Sequence, residues 1–210
     1  MASLIYIHGF LSSPFSHKAQ QVKQWLTATR PDINYFCPFL TPYPAEAKAV
    51  LEQLVETQLA QGPVYLMGSS LGGYWSTYLA EKYDLRAVLI NPAVTPSMLL
   101  PDYLHTELHN YQTEDTYRLN EQHVADIRAV DTPHVTRTNN YWLLVQTADE
   151  TLDYRQAVTK YHACRQRVEQ GGDHSFQQFE RLIPAAIAFL EGKFDPNSAA
   201  PDLLPDLKPI

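Results

Sequence analysis

The chain has 210 residues, 45% hydrophobic and 19% charged, a globular composition at a length that favours one domain over two. Its 16 Lys and Arg against 23 Asp and Glu leave a net charge of -7, so its field repels phosphate backbones and anionic lipid, and nucleic acid is not an expected partner. The two cysteines, Cys37 and Cys164, cannot build a disulfide framework and form no Cys-x-x-Cys pair, which fits a reducing, cytoplasmic setting.

The segment Met1–Phe15 lacks the basic stretch of a signal peptide. The longest uncharged stretch, Thr57–Ala80, contains four glycines and Pro63, so no membrane span is expected. Short apolar runs alternate with segments of helical periodicity, the pattern of a parallel sheet with crossover helices. Ser3–His8 and Ile33–Phe36 are the first two strands expected. Ala47, Val50, Leu51, Leu54 and Val55 then keep the i, i+3, i+4, i+7, i+8 offsets of a helix with one apolar face. Val64–Met67 reads as the third strand, running into a helix that begins near Leu71 and repeats those offsets through Tyr74, Trp75, Tyr78 and Leu79.

Ala87–Asn91 is the fourth expected strand. The segment 92–133 is too long for an ordinary connection. Its Tyr103, Tyr111 and Tyr117 suit an insertion over a binding site, and a helical excursion without a functional role is the other reading. Tyr141–Gln146 and Gln166–Glu169 complete six strands. A final helix carries Phe179, Leu182, Ile183, Ala186, Ile187 and Leu190, with Pro184 either kinking it or marking its first turn. The expected fold is α/β, with about six mostly parallel strands flanked by helices over residues 1–194. Four prolines in Asp195–Ile210 suggest a disordered or extended tail.

Gly68-Ser69-Ser70-Leu71-Gly72 matches Gly-x-Ser-x-Gly between an expected strand and an expected helix. A sharp turn there leaves no room for a Cβ two residues either side of the central serine, which projects from the sheet as a nucleophile. Ser69 lacks a glycine two positions before it. A serine nucleophile needs a base held by an acid, in the chain order Ser, Asp or Glu, His. His174, in Gly172-Asp173-His174 between the last strand and the last helix, stands where that base belongs, whereas His162 lies within a helical pattern. Asp149 follows its strand at once and is favoured as the acid. Asp153, four residues on, suits a helix N-cap but stays an alternative. Glu150 and Asp173 are further candidates, the latter poorly placed because it adjoins His174. An oxyanion would take one N–H from Leu71 and a second from His8-Gly9-Phe10, with Phe10 the expected donor. His8 itself reads as a strand-end residue that fixes its loop by hydrogen bonds. His105 and His109 share the i, i+4 spacing of metal ligands, but the intervening Glu107 is at the wrong offset and no third ligand is evident. Neither metal nor cofactor is expected.

These residues, Tyr6-Ile7-His8-Gly9-Phe10 with Ser12-Ser13-Pro14, Gly68-Ser69-Ser70-Leu71-Gly72-Gly73, Asn91-Pro92-Ala93, Asp149-Glu150 with Leu152-Asp153-Tyr154, and Gly171-Gly172-Asp173-His174, resemble the small bacterial YqiA-type esterases of the α/β-hydrolase superfamily. The likeness runs from about Ser3 to Phe194. It implies a compact α/β-hydrolase fold without the first two strands of larger relatives, a small cap within 92–133, and carboxylic-ester hydrolysis. It implies Ser70 as nucleophile, Asp149 as acid, His174 as base, and Phe10 and Leu71 as oxyanion donors. A small acyl ester or thioester is then the expected substrate, with Tyr103 and Tyr111 of the cap expected to contact it. Thioesterase or acyltransferase use of the same serine, or an interaction protein on a hydrolase scaffold, are the alternatives.

Overall fold

The structure is a computed structural model and describes residues 1–194; the expectation for the 195–210 tail lies outside them. Strands β1 (Ala2–Ile7), β2 (Ile33–Phe36), β3 (Val64–Ser69) and β4 (Arg86–Ile90) alternate with helices α1 (His17–Thr29), α2 (Pro44–Leu59) and α3 (Leu71–Tyr83). After β4 come α4 (Pro96–Leu99), a 3-10 turn at Leu100–Tyr103, a hairpin of β5 (Leu108–His109) and β6 (Thr116–Tyr117), and α5 (Glu121–Ala129). The chain then returns through β7 (Tyr141–Gln146), α6 (Tyr154–Lys160), β8 (Arg165–Glu169), a 3-10 turn at Phe179–Leu182 and α7 (Ile183–Leu190). Six strands form one sheet in the order β2-β1-β3-β4-β7-β8, with every pair parallel. This is a compact α/β-hydrolase fold with a cap insertion.

Side-chain alternation explains why the strands read as continuous apolar runs. Leu4, Tyr6, Val88, Ile90, Trp142 and Leu144 face a core shared with α1 and α7. Ile5, Ile7, Ala87, Leu89, Leu143 and Val145 face the opposite core, shared with α2, α3 and α6. A strand buried on both faces has no polar side to break its pattern. Helix α1 has no counterpart among the expected elements. Its buried stripe is only Ala19, Val22 and Leu26, too narrow to stand out from the Lys and Gln around it. Pro184 falls in the first turn of α7, directly after the 3-10 turn, where its missing N–H has no intrahelical partner to lose.

The order of strands fixes where a ligand would lie. From β1 the chain crosses to β2 on one side and returns to β3 on the other, so the loops after β1 and β3 diverge and leave a crevice at the carboxyl ends of the strands. The insertion divides in two. Residues 96–103 border that crevice, while Leu108, Leu119 and Ile127 join the core over α2 and α3. Tyr74 Oη donates 2.6 Å to the Ile127 carbonyl, and Tyr43 of α2's N-cap stacks on His123. The first stretch of 92–133 thus borders the crevice and the second packs on α2 and α3.

Trp142 is fully buried against Phe189 and Phe194, yet its indole Nε1 has no hydrogen-bond partner among the described residues. Trp142→Ala should cost about 3–5 kcal/mol by cavity formation. Trp142→Phe removes the unsatisfied donor along with part of the volume and should cost about 1 kcal/mol. Urea-unfolding midpoints of the two variants check that ranking, and equal losses would refute it.

Candidate active site

Ser70 joins β3 to α3 with φ 56° and ψ -122°, a left-handed conformation that costs a non-glycine residue about 1–3 kcal/mol. Neighbouring glycines make the turn possible: a Cβ on Gly68 would strike the Gly72 carbonyl, and one on Gly72 would strike the Ile7 carbonyl of β1. Backbone bonds hold the residue, its N–H donating 3.0 Å to Ile90 O and its carbonyl accepting from Gly73 N (2.9 Å) and Ala93 N (3.0 Å). Ser69 is the buried last residue of β3.

The Ser70 hydroxyl lies 3.1 Å from His174 Nε2. The other ring nitrogen, Nδ1, is 2.9 and 3.0 Å from the two carboxylate oxygens of Asp149. This network is satisfied by a neutral imidazole that donates from Nδ1 to Asp149 and accepts the Ser70 O–H at Nε2. Asp149 Oδ1 also accepts the N–H groups of Leu152 (2.8 Å) and Thr151 (2.9 Å). Its side chain is only 1% exposed. Burial alone would raise the carboxyl pKa, but the bonds from His174, Leu152 and Thr151 outweigh it and hold the group below its usual value.

Asp153 does not reach the imidazole. It caps α6, accepting from the Arg155 N–H at 3.0 Å and from Arg155 Nε at 2.8 Å. Asp173 Oδ2 accepts from Gln177 Nε2, and Glu150 Oε2 accepts the His174 backbone N–H at 3.0 Å. His162 bonds to the Thr159 carbonyl at the end of α6. His105 and His109 point to Glu121 and Glu107 on the exposed insertion, and no group of three possible metal ligands occurs among the described residues. His8 is buried, with Nδ1 2.9 Å from the Gly9 carbonyl and Nε2 accepting from Leu40 N at 3.1 Å. Burial lowers its pKa, and both nitrogens are committed to fixing the loop after β1.

Beside Ser70 lies a cleft of about 130 Å³, walled by Phe10, Leu71, Leu99, Leu100, Tyr103 and Leu152. The Tyr103 ring meets Phe10 edge-on with centroids 5.5 Å apart. Tyr111 does not line this cleft: its side chain is 73% exposed, while its backbone N–H donates to Leu11 O. The N–H groups of Phe10 and Leu71 make no hydrogen bond to another group among the described residues. A larger surface cleft of about 470 Å³, bordered by Val94, Asp131 and Lys160, contains none of Ser70, Asp149 or His174.

Two contacts to the His174 loop were not anticipated from the sequence. Gln146, the last residue of β7, accepts from Gln177 N at 2.8 Å and Asp173 N at 3.3 Å. Lys18 Nζ donates 2.6 Å to the Ser175 carbonyl. Burial pulls the Lys18 ammonium down to a pKa of about 8, against the opposing pull of Asp173 and Asp149. Neither residue lies in a local motif, so only the folded chain relates them to His174.

The chain belongs to the family described as Uncharacterised protein family (UPF0227), which matches residues 3–191. Among solved structures it is similar to alpha/beta hydrolase domain-containing protein 10 from mouse, at 18% identity and a TM-score of 0.70, covering 91% of this chain and 90% of that one. Est1E from Butyrivibrio proteoclasticus, solved with ferulic acid, matches at 15% identity and a TM-score of 0.64, covering 91% and 88%. A monoacylglycerol lipase from Paleococcus ferrophilus matches at 14% identity and a TM-score of 0.63, covering 89% and 94%. At these identities the likeness is one of fold.

The depressed Asp149 pKa links stability to pH. Because the folded value lies below the unfolded one, near 3.8, its contribution is present above about pH 4 and is lost as pH falls through the folded value. The stability difference between the parent and Asp149→Asn, from denaturant titrations at pH 6 and below pH 3, should shrink at the lower pH. A pH-independent difference would show that the carboxylate bonds are not the source.

Proposed function

We propose that this UPF0227 protein is a serine hydrolase that cleaves short carboxylic esters, with acyl thioesters as related substrates, and that its finer likeness to YqiA-type esterases reflects shared chemistry. The observation that carries the proposal is the unbroken relay from Asp149 through His174 to Ser70, with contacts of 2.9 and 3.1 Å, at the mouth of an apolar cleft. A cytoplasmic location, where Cys37 and Cys164 stay reduced, belongs to the same proposal.

In the first step Ser70 Oγ bonds to the acyl carbon while its proton passes to His174 Nε2. The carbonyl π pair moves to oxygen, which receives the Phe10 and Leu71 N–H groups. Collapse of the tetrahedral adduct breaks the bond to the leaving group, which takes the proton from His174. Water then repeats the sequence, releasing the acid and restoring the Ser70 hydroxyl. Asp149 keeps the imidazole in the accepting tautomer and stabilises the transient imidazolium without taking its proton. No step calls for a metal or cofactor.

The cleft limits the acyl group. At roughly 30 Å³ per water-sized unit, about 130 Å³ accommodates an acetyl to butyryl chain. Tyr103 and Leu99 are among its walls, and the exposed Tyr111 has no part in that limit.

Ser70→Ala should stay folded and lose labelling by a fluorophosphonate probe; peptide mapping that finds the label elsewhere would overturn the assignment. Asp149→Asn should lower kcat on an activated acetyl ester by about 10²–10⁴-fold. Asp153→Asn should stay within about twofold, since Asn caps a helix nearly as well as Asp. The opposite ranking would move the acid role to Asp153. Tyr103→Ala should raise kcat/KM for an octanoyl ester relative to a butyryl ester by roughly tenfold, and Tyr111→Ala should leave that ratio unchanged. An unaltered profile in both would remove the cleft as the selectivity element.

A further inference from the structure

Asn91 stands immediately after β4, only 3% exposed and with φ 39°. Its N–H and both side-chain polar atoms are engaged. The N–H donates 2.8 Å to Leu144 O, continuing the rungs between β4 and β7. Oδ1 accepts the Gln146 N–H at 3.0 Å, so the side chain supplies the next rung where the backbone has already turned away. Nδ2 then donates to two successive carbonyls, Asp173 O at 3.0 Å and His174 O at 3.1 Å. One amide therefore connects the end of the strand that precedes Asp149 with the backbone that carries His174.

Gln146 complements it from the same strand end, its Oε1 taking the N–H groups of Asp173 and Gln177 and its Nε2 donating 3.1 Å to both Gln177 O and Glu169 Oε2. The loop from Gly171 to Gln178 lies outside sheet and helix; Phe176, at φ 59°, anchors its middle in the core and Lys18 bonds to Ser175 O. Around Asp173 and His174 these side-chain bonds supply further tethers. We propose, building on the serine-hydrolase reading, that Asn91 is a positioning residue for His174: by holding the Asp173 and His174 carbonyls against the end of β7, it fixes the imidazole at bonding distance from both Asp149 and Ser70. The chemistry of the side chain is specific. A carboxylate of the same shape can still accept from Gln146 but offers no donor and turns negative charge toward two carbonyl oxygens, whereas an apolar residue leaves all three partners unsatisfied. Displacement of the base by about 1 Å is enough for a loss on the order of 10²-fold.

The test is Asn91→Asp, assayed on p-nitrophenyl acetate and by the rate of fluorophosphonate labelling at Ser70. Circular dichroism should be unchanged, kcat and the labelling rate should fall by about 30- to 100-fold, and KM should stay within about twofold. Burial beside carbonyls raises the pKa of the new carboxyl, and in its protonated form it regains one donor. The ratio of variant to parental kcat should therefore rise as pH is lowered from 8 to 5.5. His174, Asp173, Asp149, Glu150, Glu169 and Lys18 are the ionisable groups around the site in both proteins, so the ratio reports the added carboxyl together with its effect on them. Unchanged kcat and labelling, a defect confined to KM, or a ratio flat with pH would overturn the proposal. Should Asn91→Asp not fold, Asn91→Ser, which keeps a single uncharged donor, replaces it: kcat should fall by about 3- to 30-fold at constant KM, and parental kcat would overturn the proposal. If the parental protein itself is not labelled at Ser70, the serine-hydrolase reading fails, a result separate from any effect of Asn91.

Discussion

The close approach of α3 to β1 is the constraint on which the site depends. Gly72 sits so near the Ile7 carbonyl that no side chain fits between them, and this contact brings the first turn of α3 down onto the end of the neighbouring strand. The chain can leave β3 at that angle only through a residue with positive φ, and Ser70 occupies it. The same geometry brings the backbone after β1 next to the serine, with the Gly9 Cα facing the Ser70 side chain. Two segments more than 50 residues apart in sequence thus meet beside the Ser70 side chain. The strain at Ser70, about 1–3 kcal/mol, is offset by a helix and a strand that are both buried, with Tyr74, Trp75, Leu79 and Ala80 of α3 in the core.

That turn was legible in the sequence because its requirement is steric and local: glycines at fixed offsets between an apolar run and a helical pattern. The four inner strands, β1, β3, β4 and β7, were legible for a related reason, since burial on both faces leaves them mostly apolar, whereas β8 at the sheet's edge keeps Arg165, Gln166, Arg167 and Glu169. Helix α1 escaped notice because a three-residue stripe suffices where a helix is covered only by the sheet and by the turn before α7. The β5–β6 hairpin, with two residues per strand, has no periodicity to detect. Tyr111 drew attention by residue type and lies out on the surface. Asn91, Gln146 and Lys18 bond to a loop between 27 and 157 residues away, and a polar side chain whose partner is distant leaves no mark on its neighbours in sequence.

The insertion between β4 and β7 shows how one segment serves two ends. Its first stretch is short, mostly apolar and borders the cleft, so substitutions there bear on what the cleft admits. Its second stretch carries α5, whose His123 stacks on Tyr43 at the start of α2 and whose Ile127 carbonyl accepts from Tyr74 of α3. A wall that is itself anchored in the core has little freedom to swing, which suits a small cleft of fixed volume better than a mobile cover over a large one.

The arrangement also bears on whether the scaffold works only as an interaction protein. A carboxylate with 1% exposure has lost most of its hydration, a cost of several kcal/mol before its hydrogen bonds are counted. A left-handed serine adds strain of its own. Both terms are large against the 5–15 kcal/mol by which a domain of ordinary stability stays folded. A binding surface needs neither a strained residue at 70 nor a buried carboxylate at 149. Ser70 and Asp149 both bond to His174, an arrangement that fits the proposed chemical role better than a purely adhesive one.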